Sequence, residues 1–116
     1  RGSLGGGGLK AAGEVHRAEL ERRLAGVKEA EVRVMKELIA ERTAAYIVSE
    51  AGVRGLSLTA EVTVWAEADG TPVPYAVHLR PRTKPNPDAA QALGAWIAGT
   101  LGIPARRQTW AAEVSA

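Results

Sequence analysis

The sequence predicts an α+β domain in which two helices pack on one face of a three-stranded sheet. Residues 56–80 alternate apolar and polar side chains as a β-hairpin does, while the segments before and after them carry apolar side chains at helical spacing. A short third strand near the end completes the order α-β-β-α-β. Because crossovers through a helix are right-handed, the third strand is expected to run parallel to the second, and its neighbour in the sheet is left open.

The chain is expected to begin with a flexible lead-in. Arg1-Gly2-Ser3 looks like the remnant of a cleaved expression tag, and the residues that follow are rich in glycine. Residues 1–13 are therefore assigned to the lead-in and residues 14–116 to a single domain with a long N-terminal helix. Residues 14–51 contain no proline and one glycine, which predicts one long helix or two in succession. Gly52 is expected to end it at the C′ position, and Gly55 to open the first strand.

Two apolar stripes are predicted on the long helix. The C-terminal stripe is expected to cover the sheet, whereas the N-terminal stripe is flanked by charges and could form a stalk, pack on a partner helix or face solvent. The C-terminal stripe consists of Met35, Leu38, Ile39, Arg42, Ala45 and Tyr46. The N-terminal stripe consists of Leu20, Leu24, Val27, Glu31, Val34 and Leu38.

The register of the hairpin follows from its turn. Asp69-Gly70 is typical of a two-residue type I′ turn, which puts the apolar side chains of both strands on one face. The predicted apolar pairs are Ala66 with Val73, Val64 with Tyr75, Val62 with Val77 and Ala60 with Leu79. The predicted pairs on the polar face are Trp65 with Pro74, Glu61 with His78 and Thr59 with Arg80.

The region after the hairpin predicts a stiff crossover, a helix and a strand. Prolines are frequent in residues 81–87, and Asn86 followed by Pro87 is a signal for a helix N-terminus. Gly102 is expected to stop this helix, and the last strand is expected at about residues 107–114. The predicted buried side chains of the helix are Ala89, Leu93, Trp96, Ile97 and Leu101.

Composition and motifs argue against several functional classes. The chain has no cysteine, which excludes disulfides and thiolate metal sites, and no apolar run approaches the roughly 18 residues of a membrane helix. A net charge of +2 is too small to indicate a nucleic-acid surface. His78 lies opposite Glu61, but without a nucleophile motif this predicts an ordinary polar pair. We therefore expect no enzyme activity, no cofactor and no metal.

The polar face of the hairpin is expected to be an interface. Trp65 lies there, and aromatic side chains are enriched in protein interfaces, although packing over Pro74 is the alternative. An open sheet face and an edge strand suit lateral association of identical domains. A basic cluster could face phosphate, lipid head groups or an acidic partner; it consists of Arg80, Arg82, Lys84, Arg106 and Arg107. The candidate interface residues are Glu61, Trp65, His78, Arg80, Arg82 and Lys84.

From residue 38 to residue 110 the chain resembles the C-terminal domain of the stage III sporulation protein AF family. The segments that resemble it are AAYIVSEAGVRG, LTAEVTVWAEADG, PYAVHLR and ALGAWIAGTLGIPARRQTW. The resemblance implies a ring-building-motif fold, like that of ring proteins in type III secretion and the flagellar basal body. It also implies a structural role in the mother cell to forespore channel, with other channel subunits as partners. The full-length protein would be held in the mother-cell membrane by two upstream helices that this sequence does not contain.

Two other functions are kept as alternatives. One is an envelope-associated interaction protein of the alkaline-shock type, which shares alternating strands and two helices. The other is a KH-like RNA-binding module, because Gly52-Val53-Arg54-Gly55 matches the GxxG clamp of those modules. In KH modules the clamp joins two helices, whereas here it is predicted to join a helix to a strand. Helix capping and turning then explain both glycines.

Overall fold

The computed structural model describes the backbone of residues 6–112 and the side chains of residues 17–112. Its main elements are α1 (Gly6–Val53), β1 (Leu58–Ala66), β2 (Pro72–Pro81), α2 (Pro87–Trp96) and β3 (Gln108–Trp110). A turn of π-helix, Ile97–Leu101, continues α2, and a 3₁₀ turn, Ala105–Arg107, precedes β3. The predicted α+β class and the order α-β-β-α-β are confirmed.

The chain divides into two units, Arg1–Arg33 and Val34–Ala116. The first unit contains the N-terminal part of α1, where Leu20, Leu24 and Val27 are exposed. α1 begins at Gly6, so the described part of the predicted flexible lead-in is helical. An existing helix gains a hydrogen bond for each residue added, which offsets the cost of about 1 kcal/mol for a glycine. The proposed tag remnant lies outside the described residues.

The core of the second unit lies between the sheet and one side of each helix. α1 and α2 also contact each other, since the rings of Tyr46 and Trp96 meet edge to face with centroids 4.9 Å apart. Both helices therefore cover the same sheet face, as predicted. The buried side chains are Ile47, Ala51, Leu56, Leu58, Val62, Val77, Leu79, Leu93, Ile97 and Ile103.

The stripe of α1 that faces the core has smaller side chains than predicted. Ile47 and Ala51 are fully buried, and Ala40 and Ala44 pack partly buried against the core. An alanine lets the helix backbone approach the sheet closely, so the buried side of this helix is not the side with the largest apolar residues. Of the predicted stripe, only Ile39 is half-buried. The exposed residues of that stripe are Met35, Leu38, Arg42, Ala45 and Tyr46.

α1 ends in a Schellman motif whose left-handed residue is Gly55. The N–H of Leu56 donates to the C=O of Ala51 at 2.8 Å, and the N–H of Gly55 donates to the C=O of Gly52 at 3.0 Å. These two hydrogen bonds define the motif and place Gly55 at C′. Gly55 has a φ of 76°, whereas Gly52 lies within the last turn of the helix. The prediction that Gly52 occupies C′ is therefore wrong.

The hairpin closes through a three-residue loop instead of the predicted two-residue turn. The N–H of Glu67 donates to the C=O of Thr71 at 2.9 Å, so the loop consists of Ala68, Asp69 and Gly70. Gly70 has a φ of 87°, a conformation that glycine adopts without strain. Asp69 Oδ1 accepts the N–H of Thr71 at 2.9 Å. This hydrogen bond holds the pKa of the Asp69 carboxyl below its usual value.

An extra residue in β2 restores the predicted register away from the loop. The larger loop shifts the nearby pairs by one residue, and β2 then bulges at Tyr75, which has no partner on β1. Beyond the bulge the observed pairs are those predicted. The correct pairs are Thr59 with Arg80, Ala60 with Leu79, Glu61 with His78 and Val62 with Val77. The wrong pairs are Val64 with Tyr75, Trp65 with Pro74 and Ala66 with Val73.

β2 is the central strand of the sheet. The strand order is β1-β2-β3, with β1 antiparallel and β3 parallel to β2. The parallel crossover is thus as predicted, and β3 lies beside the second strand of the hairpin. β3 begins at Gln108 because Arg107 belongs to the preceding 3₁₀ turn. Residues 111–112 of the predicted strand lie beyond the end of β3, and residues 113–114 lie outside the described residues.

α2 begins and ends at the predicted signals. Asn86 Oδ1 accepts the N–H groups of Asp88 at 2.9 Å and Ala89 at 3.1 Å, which caps the N-terminus. The helix continues through its π-helical turn to Gly102, whose φ of 70° ends it. α2 therefore presents Leu93 to the core and leaves its other side facing outward.

Candidate functional site

The sheet has an open face on the side opposite the core. On β1, the exposed residues Thr59, Glu61 and Thr63 alternate with the buried Leu58 and Val62. The residues opposite them on β2 belong to the same face. We define the open face by Thr59, Glu61, Thr63, Trp65, Tyr75, His78, Arg80 and Thr109. Four of the six candidate interface residues lie on it: Glu61, Trp65, His78 and Arg80.

An aromatic stack, formed by Trp65, Tyr75 and Arg107, crosses one end of the open face. The rings of Trp65 and Tyr75 are nearly parallel, at 6°, with centroids 4.0 Å apart. The guanidinium carbon of Arg107 lies 4.2 Å from the centroid of Tyr75. Since two groups at such distances cannot share one side of a ring, Tyr75 lies between Trp65 and Arg107. Trp65 keeps 54% of its surface exposed.

Arg107 is held in place by a second contact. Its Nε donates to the backbone C=O of Tyr75 at 2.8 Å. The bulge therefore does two things: it turns the Tyr75 ring to the open face, and it presents a carbonyl that fixes the cation above that ring. Cation–π contact and hydrogen bond together keep the aromatic stack in one arrangement.

His78 bonds across to β3 instead of to Glu61. Its Nδ1 lies 2.8 Å from Thr109 Oγ1, and that hydroxyl donates to the C=O of Val77 at 3.4 Å. The Thr109 hydroxyl thus contacts both the His78 ring and the backbone of β2. Glu61 and His78 face each other on adjacent strands but form no ion pair within the described part of the chain. The predicted pair of His78 with Glu61 is therefore replaced by a contact between β2 and β3.

The remaining basic candidates lie near the crossover, not together on the open face. Arg82 is exposed, and its backbone N–H donates to the C=O of Ser57 at 2.9 Å. Lys84 lines a groove beside α2, on the helix side of the sheet. The prediction placed these two residues with Trp65 because they follow the hairpin closely in sequence, whereas the chain turns away from the open face after β2.

Sequence reasoning missed Tyr75, Arg107 and Thr109 as members of the site. Tyr75 was expected on the buried face because strict alternation ignores the bulge. Pro74 was the available signal: proline cannot donate to a sheet ladder and is found at edges or bulges. The contribution of β3 could not be derived, because the sequence left its neighbour undecided.

The backbone N–H groups of the GxxG segment are used to cap the end of α1. The N–H groups of Arg54 and Gly55 donate to carbonyls of Ala51 and Gly52 at 3.0 Å each. The Arg54 side chain binds Glu50 Oε2 at 2.8 Å. A phosphate clamp needs free backbone donors, and these donors already serve the helix cap.

Comparisons of the chain with family models, with curated proteins and with solved structures found no match. Within the described residues, no helix is both long enough and apolar enough to cross a membrane. The same part of the chain contains no group of three or more His, Asp or Glu side chains placed to hold a metal ion.

Proposed function

We propose that the protein is a non-enzymatic assembly domain that associates with further copies of itself through the open face of its sheet. The aromatic stack carries this proposal. It combines Trp, Tyr and Arg, the residue types enriched at the energetic centres of protein interfaces. Trp65 is more than half exposed, at 54%, so burying it against a second subunit would remove a large apolar surface from water.

The stack is ordered before any partner binds. Trp65 lies flat on Tyr75, and Arg107 bonds to the Tyr75 carbonyl. Association therefore costs little side-chain entropy, which favours a stable contact.

The charges on the open face suit contact between two copies. Glu61 lies on β1, and Arg80 lies on β2 at the next pair position on the same face. In a twofold contact, Glu61 of one copy can face Arg80 of the other, and the reverse pair forms by symmetry. A single domain thus carries both members of a complementary charged pair on the same face as Trp65.

We further propose that this assembly is a membrane-associated ring in the mother cell to forespore channel. The support is the resemblance over residues 38–110, together with an element order and a mixed sheet of the kind that the resemblance implies. In that setting the domain contributes a subunit contact, while the upstream membrane helices of the full-length protein hold it at the mother-cell membrane.

Replacing Trp65 with Ser should weaken self-association about tenfold or more, because truncating a Trp that is buried in a subunit contact typically raises the dissociation constant at least that much. Sedimentation equilibrium of this chain measures the dissociation constant before and after the change. Val53→Ser is the matched control, since Val53 is 79% exposed but lies at the end of α1. A parent protein that stays monomeric at high concentration, or equal weakening in both variants, would contradict the proposed contact.

An RNA titration separates assembly from nucleic-acid binding. Binding of single-stranded RNA that weakens steeply as salt rises would indicate phosphate contacts. If Trp65→Ser removed such binding while leaving the oligomeric state unchanged, the open face would be a base-stacking surface, and the assembly proposal would be wrong.

The channel proposal is tested on the full-length product in its host. We expect it to remain in the membrane pellet after washes with high salt and with alkaline carbonate, because integral helices resist both treatments. Release into the supernatant would contradict anchoring in the mother-cell membrane. That outcome would leave association through the open face intact, since the sedimentation experiment tests it separately.

A further inference from the structure

A groove lies beside β3, between α2 and the crossover that follows β2. Its volume is about 690 Å³, which is in the range of ligand sites. The helical wall of the groove contains a row of small residues one turn apart, Ala90 and Gly94 on α2 and Ala98 on the π-helical turn, with Gln91 and Ala95 beside it. Leu93 and Ile97 lie between the residues of this row in sequence and are buried in the core. Along this row the side chains end at Cβ or earlier, so the groove has room there for the side chains of a ligand.

The backbone of β3 offers hydrogen-bonding groups to this groove. In a parallel sheet, the N–H and C=O of one residue both point to the same adjacent strand, and those of the next residue point to the opposite side. The N–H of Ala111 donates to the C=O of Leu79 at 2.8 Å, so the backbone groups of Trp110 point away from β2. Trp110 lines the groove, and within the described residues no strand pairs with β3 on that side.

The groove is preformed. Gln108 Nε2 donates to the C=O of Gly94 at 3.0 Å and to the C=O of Ile103 at 2.8 Å. These hydrogen bonds tie β3 to the end of α2, so the strand and the helical wall keep their spacing. A Cβ on Gly94 would lie 3.1 Å from Gln108 Oε1, which shows how closely the two sides approach.

The charge at the groove is positive. Lys84 is the one charged side chain in its described lining. Beside the lining in sequence, the exposed Arg106 follows Ala105 and the exposed Asp88 follows Pro87. An occupant would therefore combine apolar groups for the floor with a negative charge near Lys84.

We propose that this groove binds an extended, acidic-apolar peptide of a partner protein as a fourth strand beside β3. The peptide backbone pairs with the N–H and C=O of Trp110, its alternate apolar side chains enter toward Ala90 and Ala98, and an Asp or Glu meets Lys84. In this mode the strand edge supplies affinity and the side-chain pockets supply specificity. The groove lies on the helix side of the sheet, so the inference does not depend on association through the open face.

Random heptapeptides displayed on phage, selected against this chain, are the probe. We expect the enriched sequences to share alternating apolar residues and at least one Asp or Glu. A synthetic copy of the most enriched peptide should slow hydrogen exchange of the Trp110 N–H about tenfold or more, because pairing with a strand protects that amide. No enrichment would overturn the site, and binding without protection of Trp110, as by a helical peptide, would overturn strand addition.

Ala90→Leu fills the groove and should raise the Kd of that peptide about tenfold or more. Ala92→Leu is the matched control, since Ala92 is exposed on the same helix and does not line the groove. It should change the Kd by no more than about twofold. Thermal unfolding of both variants verifies that they are folded. If Ala90→Leu and Ala92→Leu raised the Kd equally, or if Trp65→Ser abolished peptide binding, the peptide would not bind in this groove and the proposal would be wrong.

Discussion

Leu79→Ala should lower the free energy of unfolding by about 2–5 kcal/mol, a large share of the stability of a small domain. Leu79 is 0% exposed and lies in the central strand, with β1 on one side and β3 on the other. Because β2 is paired on both sides, the strand cannot move to fill the space that the lost side chain leaves. Chemical denaturation followed by circular dichroism measures the difference.

Leu38→Ala is the matched control for this substitution. Leu38 is 36% exposed on α1, so the same change should cost less than about 1 kcal/mol. If the two variants lost similar amounts of stability, the buried side of β2 would not be the centre of the core.

The substitutions Gly55→Ala and Gly52→Ala should change the free energy of unfolding in opposite directions. Gly55 has a φ of 76°, where an L-residue costs about 1–2 kcal/mol. Gly52 lies in the last turn of α1, and a Cβ there would meet no atom within 4 Å. In that position alanine should raise the free energy of unfolding by about 0.5–1 kcal/mol, because it favours the helix and restricts the unfolded chain.

Denaturation of the two glycine variants side by side gives the sign of each effect, and each variant is the control for the other. If Gly52→Ala lowered the free energy of unfolding and Gly55→Ala raised it, the helix would end at Gly52, as the sequence alone suggests. Equal losses at both sites would indicate that the two glycines have a role outside the helix cap.

The sequence predicts the pairing of residues across the hairpin correctly wherever apolar and polar side chains alternate strictly. Val62 and Val77 pair as predicted because burial of one face determines which residues oppose each other. The loop was mispredicted because Asp-Gly is compatible with both two-residue and three-residue turns, and only the left-handed Gly70 with its neighbours decides between them. The bulge at Tyr75 then compensated for the extra loop residue, so the wrong turn still led to the right register near the core.

The candidate site was only partly predictable for a related reason. Trp65 belongs to an uninterrupted strand, so alternation placed it on the open face. Tyr75 and Arg107 reach that face through a bulge and through the position of β3, neither of which a pattern within one strand contains. Lys84 was grouped with Trp65 by nearness in sequence, but the crossover carries it to the groove beside α2.

The three tryptophans of the chain lie in three different surroundings. Trp65 stacks on the open face, Trp96 meets Tyr46 between α1 and α2, and Trp110 lines the groove beside β3. Because the chain has no other tryptophan, replacing two of them with phenylalanine leaves a single indole whose fluorescence comes from one known place. The protein thus carries an intrinsic optical reporter for the proposed subunit contact, for the packing of its two helices and for the proposed peptide groove, each readable without an attached dye.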